Sequence, residues 1–382
     1  MPIFATLRIA RPALAAFAAM GVLWGTFAAV LPDIMVMLDV DEARLGLVIL
    51  FTPIAAVCAM LLAPRIGAAL GGMALPVATL AMAAAFVLPG QTQVLWLFAV
   101  AMMACGAATG LTDVLMNARV AEMENTHGLH LMNLCHAAYS FGYAGAALAT
   151  GAMRSAEWTP DYVMGSMACF ALMLSAITLD GDGTIHGLRK PKDGTAGHLG
   201  WLPLIGGGIV LIAFLTENAA ENWSALHIEK TLGGSPSEGA MGPAALALTM
   251  GFSRLVGQGF AARINPYRLL GGGAMVASLG ALIAAGAGTP MVAYAGFIVM
   301  GIGASVIAPT AFSLVGRLAE PVARARAVAR ATLWGYFGYF FGPPLLGFIA
   351  GTFGLRMAFV FAAAILLGIL VLLPIMARSP NA

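Results

Sequence analysis

Apolar runs of about twenty residues follow one another along this chain, and that is the length a helix needs to cross roughly 30 Å of hydrocarbon. They fall near 12–32, 44–63, 72–89, 94–118, 130–153, 162–179, 201–223, 240–262, 269–287, 290–315, 326–350 and 355–376, twelve in all. Of the 382 residues, 60% are hydrophobic and 9% charged, where a soluble globular chain carries about 25% charged residues. Mean hydropathy is +0.91. Together these predict an all-α, polytopic membrane protein. The first run, Pro12 to Pro32, follows Arg8 and Arg11 as a secretory signal would. It exceeds the roughly 7–15 apolar residues of such a signal, so it is expected to remain as the first transmembrane helix.

The breaks between runs are short except for LDGDGTIHGLRKPKDGTAGHLG at 179–200, whose glycines and charges mark a linker. The expected organisation is an N-terminal six-helix bundle over 1–180, a cytoplasmic linker over 181–200 and a C-terminal six-helix bundle over 201–382. With both termini cytoplasmic, fourteen basic residues from Arg8 to Arg378 gather on the cytoplasmic side. Arg44, Arg154, Lys230 and Arg356 lie opposite, a clear positive-inside bias. The net charge of +2 is scattered over loops, which gives no footprint for nucleic acid. Cys58, Cys105, Cys135 and Cys169 sit inside apolar runs without paired or metal-like spacing. They read as small buried hydrophobes.

The halves echo one another. Arg65 with Gly71-Gly72 recurs as Arg263 with Gly271-Gly272, and FGY at 141–143 recurs at 337–339, all at offsets of 196 to 200 residues. Twelve spans, a duplicated half and a charged central loop resemble the major facilitator superfamily over the whole chain. Its signature after the second span is matched by APRIGAALGG at 63–72, where Arg65 agrees and Pro64 replaces the acidic partner. The resemblance implies a gating role for Arg65. TDVLMNARVAEME with LMNLCHAAYSFG at 131–142 resembles the fucose-permease-like branch, keeping Asp113, Asn117 and Asn133-Leu134, with His136 in place of a glutamine. GYFGYFFGPPLLGFIAGTFGLR at 335–356 and ENAAENWS at 217–224 resemble a poorly characterised bacterial subgroup of that branch. The resemblance implies a bacterial inner-membrane transporter for a sugar or related polyol, acting as a monomer and without cofactor or metal.

Ionisable groups inside a membrane are costly and point to function. Asp113 lies six residues before Arg119, roughly 9 Å from the end of its helix, and His136 is expected at similar depth on the next, antiparallel helix. With Asn117 one turn from Asp113, the three form a predicted proton-handling cluster. Glu217 and Glu221 share a face of the seventh span beside Asn218 and Asn222, which must line a water-accessible path. Arg254, near mid-span in the eighth helix, is expected to neutralise Glu217 or bind solute. Asp113, His136, Glu217 and Glu221 are the candidate proton-coupling groups. Asn117, Trp24, Asn133, Tyr139, Asn218, Arg254, Trp334 and Tyr336 are the candidate solute contacts. Trp223 reads equally as an interfacial anchor. Gly21, Gly25, Gly106, Gly110, Pro343 and Pro344 are candidate bending points.

These features predict a proton-coupled secondary transporter for a small polar solute, working by alternating access between the lipid-embedded halves. An efflux pump for amphipathic compounds is the second reading, favoured by many Met, Phe and Ala. A membrane sensor is disfavoured by the short loops. An enzyme is least favoured, because no nucleophile–base pair, metal-ligand cluster or cofactor motif appears.

Overall fold

The computed structural model describes residues 3–129, 131–185, 199–261, 264–320 and 324–378, and every regular element among them is helical. Helix α1 (Ile3–Met37) makes the first crossing. The second is shared by α2 (Glu42–Ile49) and α3 (Phe51–Leu70). Pro53 explains the break, because a proline ring clashes with the carbonyl four residues back, which here is Ile49. Then come α4 (Ala74–Ala85), flanked by 3₁₀ turns at Gly71–Met73 and Leu88–Gln91, α5 (Leu95–His127), α6 (Met132–Ser155) and α7 (Pro160–Ile177). Most of the expected linker, residues 186–198, lies outside the described residues. Helix α8 (Leu202–Leu226) runs on as a π-helical turn at His227–Thr231. The set closes with α9 (Pro236–Ala261), α10 (Pro266–Gly286), α11 (Pro290–Leu318), α12 (Arg324–Phe353) and α13 (Leu355–Ala377). Twelve crossings result. Eight segments are long and apolar enough to span on composition alone, one of them the 50-residue Glu42–Gln91 that holds two crossings. Helices α6, α9 and α12 fall short because tyrosines, serines, glycines and charges interrupt their apolar faces.

Local chemistry fixes the helix ends. Gly128 closes α5 in the left-handed conformation (φ 65°, ψ 30°), where a residue without Cβ carries no steric cost. Glu124 reaches past it to accept from the backbone N–H groups of Leu131 and Met132, satisfying orphan donors at the start of α6. Ser235 and Glu238 form a reciprocal capping box before α9.

The chain divides into two compact units: Met1–Val40, Val48–Lys190 and Ser235–Gly251 form the first, and Asp41–Leu47, Pro191–Gly234 and Phe252–Ala382 the second. In the first, α6 runs along α1 and α5 along α3. Small residues permit this closeness. A Cβ on Gly21 would stand 2.1 Å from the Tyr139 carbonyl oxygen, and one on Gly25 2.1 Å from that of Tyr143. Gly106 and Gly110 meet Thr52 and Ala56 of α3 in the same way, at 2.0 and 2.3 Å. These glycines, expected as bending points, are packing contacts. Helices α5 and α6, expected to be close neighbours, touch only slightly because α6 is drawn onto α1. In the second unit α8 lies along α12, and α10 packs on α11 and α13. The FGY repeat marks equivalent crossings: Gly142 faces Ala18 of α1, and Gly338 faces Leu211 of α8.

Two further expectations need correction. Cys58 and Cys169 are exposed and only Cys105 and Cys135 are buried, since the apolar outer faces of α3 and α7 accept a thiol as readily as an alanine. Trp223 is 0% exposed and lies against Gly347, so it is a packing residue. The exposed tryptophans at span ends are Trp96, Trp158 and Trp201, the usual interfacial positions.

Candidate functional site

Each unit carries one polar cluster within its membrane helices. In the first unit, helical spacing sets Asn117 one turn after Asp113. Its Nδ2 donates to the Asp113 carbonyl at 2.8 Å and to Oδ1 at 3.1 Å. Both side chains are half-buried. His136, one turn into α6, meets the ring of Phe17 edge-on at 5.0 Å. Asn133 is half-buried in the first turn of α6, and Tyr139 stands 6.0 Å from Tyr143. Trp24 packs between Phe27 and Phe86, with ring centroids at 5.7 and 5.1 Å. Arg65 is exposed near the end of α3 and forms no ion pair among the described residues.

In the second unit, α8 presents Glu217 and Glu221 at the four-residue spacing that places side chains on one face. Arg254 of α9 comes within 3.7 Å of Glu217, and both side chains are largely withdrawn from solvent, at 20% and 13% exposure. Glu221 is half-buried. Asn218 is buried with its Oδ1 lacking a hydrogen-bond partner among the described residues, and Gly342 of α12 packs closely on it, a Cβ there standing 3.0 Å from Oδ1. Trp223 Nε1, Ser224 Oγ and His227 Nδ1 are likewise buried and unpartnered. A polar atom buried without a partner costs about 1–3 kcal/mol, and four such atoms follow one another along α8 and its π-helical turn. Tyr336 sits edge-on to Phe214 at 5.9 Å, and Tyr339 stacks on Phe214 at 4.6 Å. Trp334 is 43% exposed, on the outer side of this group.

Three features escape a reading of residue types along the chain. Arg154 binds Asp33 through two nitrogens, at 2.7 and 2.6 Å, joining α6 to α1. Arg119 pairs with Asp180 at 2.7 Å and donates to the carbonyls of Asp182 and Thr184, holding the segment after α7 against α5. Ser224 and His227 extend the Glu217–Glu221 face. That last signal was available, since steps of four and three residues continue one helical stripe.

These clusters sit on a scaffold shared with known transporters. The sequence pattern of the Major Facilitator Superfamily matches residues 205–382. An uncharacterised MFS-type transporter of Yersinia pestis is 30% identical over 272 residues, 70% of each chain. A bacterial homologue of the human lysosomal transporter Spinster, solved in an inward-facing and occupied conformation, superposes with a TM-score of 0.75 at 14% identity, covering 99% of this chain and 98% of that one. The nucleoside transporter NupG superposes with a TM-score of 0.76 at 14% identity, over 97% and 99% of the two chains. With twelve crossings, a repeated helix crossing in each half and that degree of kinship, the chain belongs to the major facilitator superfamily and is a multi-pass membrane transporter of a small-molecule substrate.

Proposed function

We propose that this transporter couples proton movement to a small polar, sugar-like solute by alternating access. The observation that carries the reading is on α8: Glu217 lies 3.7 Å from Arg254, its one ion-pair partner among the described residues, while Glu221 brings a second carboxylate to the same helix face. One guanidinium balances one carboxylate. The remaining negative charge is expensive in hydrocarbon unless a proton accompanies it, and a proton taken up on one side and released on the other is the coupling ion. Asp113, hydrogen-bonded to Asn117, and His136 are the second proton-handling station. Protonation of Glu217 frees Arg254 to meet the oxygens of a solute; Asn218, Tyr336 and Trp334 are the candidate solute contacts of the second unit, and Asn117, Asn133, Tyr139 and Trp24 are those of the first. Arg65 is assigned to gating. The likeness to the fucose-permease-like branch supports a sugar. The basic-residue bias and a bacterial relative support an inner-membrane location with both termini cytoplasmic.

In a lightly buffered suspension of vesicles, solute addition is expected to alkalinise the medium, and Glu217→Gln and Asp113→Asn are each expected to abolish the response. An undiminished response in both variants removes the coupling role. The Phe214–Tyr339 stack favours a second reading, export of a flat amphipathic compound. Greater accumulation of cationic dyes in a deletion strain is the result that would select it.

A further inference from the structure

Beyond Glu221 the polar face of α8 continues. Glu217, Glu221, Ser224 and His227 follow one another at the steps of four and three residues that keep side chains on one stripe. The stripe is about 15 Å long at 1.5 Å rise per residue. Ser224 and His227 are both 0% exposed, and neither Ser224 Oγ nor His227 Nδ1 has a hydrogen-bond partner among the described residues. The other imidazole nitrogen is committed: Nε2 lies 3.0 Å from the Ala284 carbonyl oxygen. A carbonyl only accepts, so Nε2 carries the hydrogen and Nδ1 presents a bare lone pair. The ring is held against Phe359 at 5.1 Å. The backbone changes here from α to π geometry over His227–Thr231, an irregularity that gathers at functional sites. Within this turn the exposed Lys230 donates to Glu42 at 2.9 Å. The stripe therefore runs from the Glu217–Arg254 pair inside the membrane to a solvent-reached end.

We propose that this stripe is a proton conduit, in which water molecules bound to Ser224 Oγ and His227 Nδ1 pass protons between the Lys230 end of α8 and Glu221. Each relay step balances. A hydrated excess proton passes to the Nδ1 lone pair, leaving neutral water and a transient imidazolium, and departs from the same atom to the next water, while the Ser224 hydroxyl accepts one proton as it donates its own. A buried polar atom without a protein partner is the kind of group that buried water satisfies by hydrogen bonding. The conduit rests on the coupling role proposed for Glu217 and Glu221.

The test reads two activities in the same vesicles: uptake driven by a proton gradient, and solute counterflow, which moves no net proton. Ser224→Ala and His227→Gln together are expected to lower gradient-driven uptake at least tenfold and leave counterflow intact. A wild type without gradient-driven uptake overturns the coupling reading and the conduit with it. A coupled wild type with equally coupled variants overturns the conduit alone. A measurement independent of variant folding is hydroxyl-radical labelling of the wild-type chain by pulsed X-rays, which oxidises side chains beside bound water. His227, 0% exposed, is expected to be labelled, and its complete protection also overturns the conduit.

Discussion

The ion pair between Asp33 and Arg154 separates the effect of burial from that of distance. Arg154 donates through Nε and Nη2 to the two carboxylate oxygens at 2.7 and 2.6 Å, and through Nη1 to the Ala29 carbonyl at 2.7 Å. The partners are unequally buried, with the arginine side chain 1% exposed and the aspartate 33%. Asp33→Ala strands a guanidinium in the protein interior, and removing one member of a buried pair costs about 3–5 kcal/mol. Arg154→Met strands a carboxylate that water already reaches, so the loss is nearer that of hydrogen bonds to a hydrated group, about 1–2 kcal/mol. The two variants are thus expected to differ by about 2 kcal/mol, more than a tenfold difference in equilibrium constant at 1.4 kcal/mol per decade. The double variant should return close to Arg154→Met alone, because it leaves no stranded charge. Thermal unfolding in detergent, followed with a thiol-reactive fluorophore, measures the order. Cys105 and Cys135 are buried and report unfolding, while Cys58 and Cys169 are exposed and set the starting signal. Equal losses of apparent Tm, or a larger loss from Arg154→Met, refute the reasoning.

Other outcomes follow from the same geometry. Gly21→Ala places a methyl 2.1 Å from the Tyr139 carbonyl oxygen, whereas a Cβ on Gly145 of α6 meets nothing within 4 Å. Overpacking of this kind costs about 1–3 kcal/mol or more, so folded yield in detergent should fall for Gly21→Ala and hold for Gly145→Ala. Arg119→Ala releases Asp180 and the carbonyls of Asp182 and Thr184. Trypsin should then cleave after Arg189 and Lys192 several-fold faster than in the parent, as followed by mass spectrometry. Backbone and hydroxyl hydrogen bonds from Ser235 hold the exposed Glu238 carboxyl below its usual range. A depressed folded-state value means that this cap contributes at pH above the free-carboxyl range and is lost as pH falls through the depressed one. Hydrogen exchange over the first turn of α9 should therefore show an acid-induced loosening that is absent in Glu238→Gln.

The number and order of crossings were legible because lipid imposes one length and one backbone solution on every span. Glu217 with Arg254 was legible too, as two opposite charges in consecutive helices at depths where neither faces lipid. Partners distant in sequence were not. Asp33 and Arg154 lie 121 positions apart, and each by itself is an ordinary charge at a span end. Arg119 reads as a topology marker until the fold brings Asp180 beneath it. The intended meeting of the fourth and fifth spans shows a second blind spot. A short connection suggests adjacency, yet Gly21 and Gly25 let α1 approach α6 until backbone oxygens are contacted, and that packing decides which helices neighbour. The exposed cysteines have the same origin, since a lipid-facing surface and a helix interface are made of the same small apolar residues.

What distinguishes the charges that hold the fold from those assigned to transport is whether they balance. Asp33 with Arg154, Asp180 with Arg119 and Glu42 with Lys230 are ion pairs in which each charge meets a counter-charge. A balanced pair gains nothing by exchanging a proton. Along α8 the accounts differ: one arginine stands against Glu217 with Glu221 a turn away, and Asn218 Oδ1, Ser224 Oγ and His227 Nδ1 are buried without a partner among the described residues. In the proposed mechanism each of those groups is stabilised by something that arrives and leaves, a proton, a water or a solute. An unbalanced set buried in one rigid helix is costly in every fixed state, so it persists where alternation between states is the purpose. Replacing Glu221 by Gln would balance the set, and the expected consequence is a protein more stable to heat and unable to accumulate solute against a gradient. A variant both less stable and fully coupled would show that Glu221 serves the fold instead.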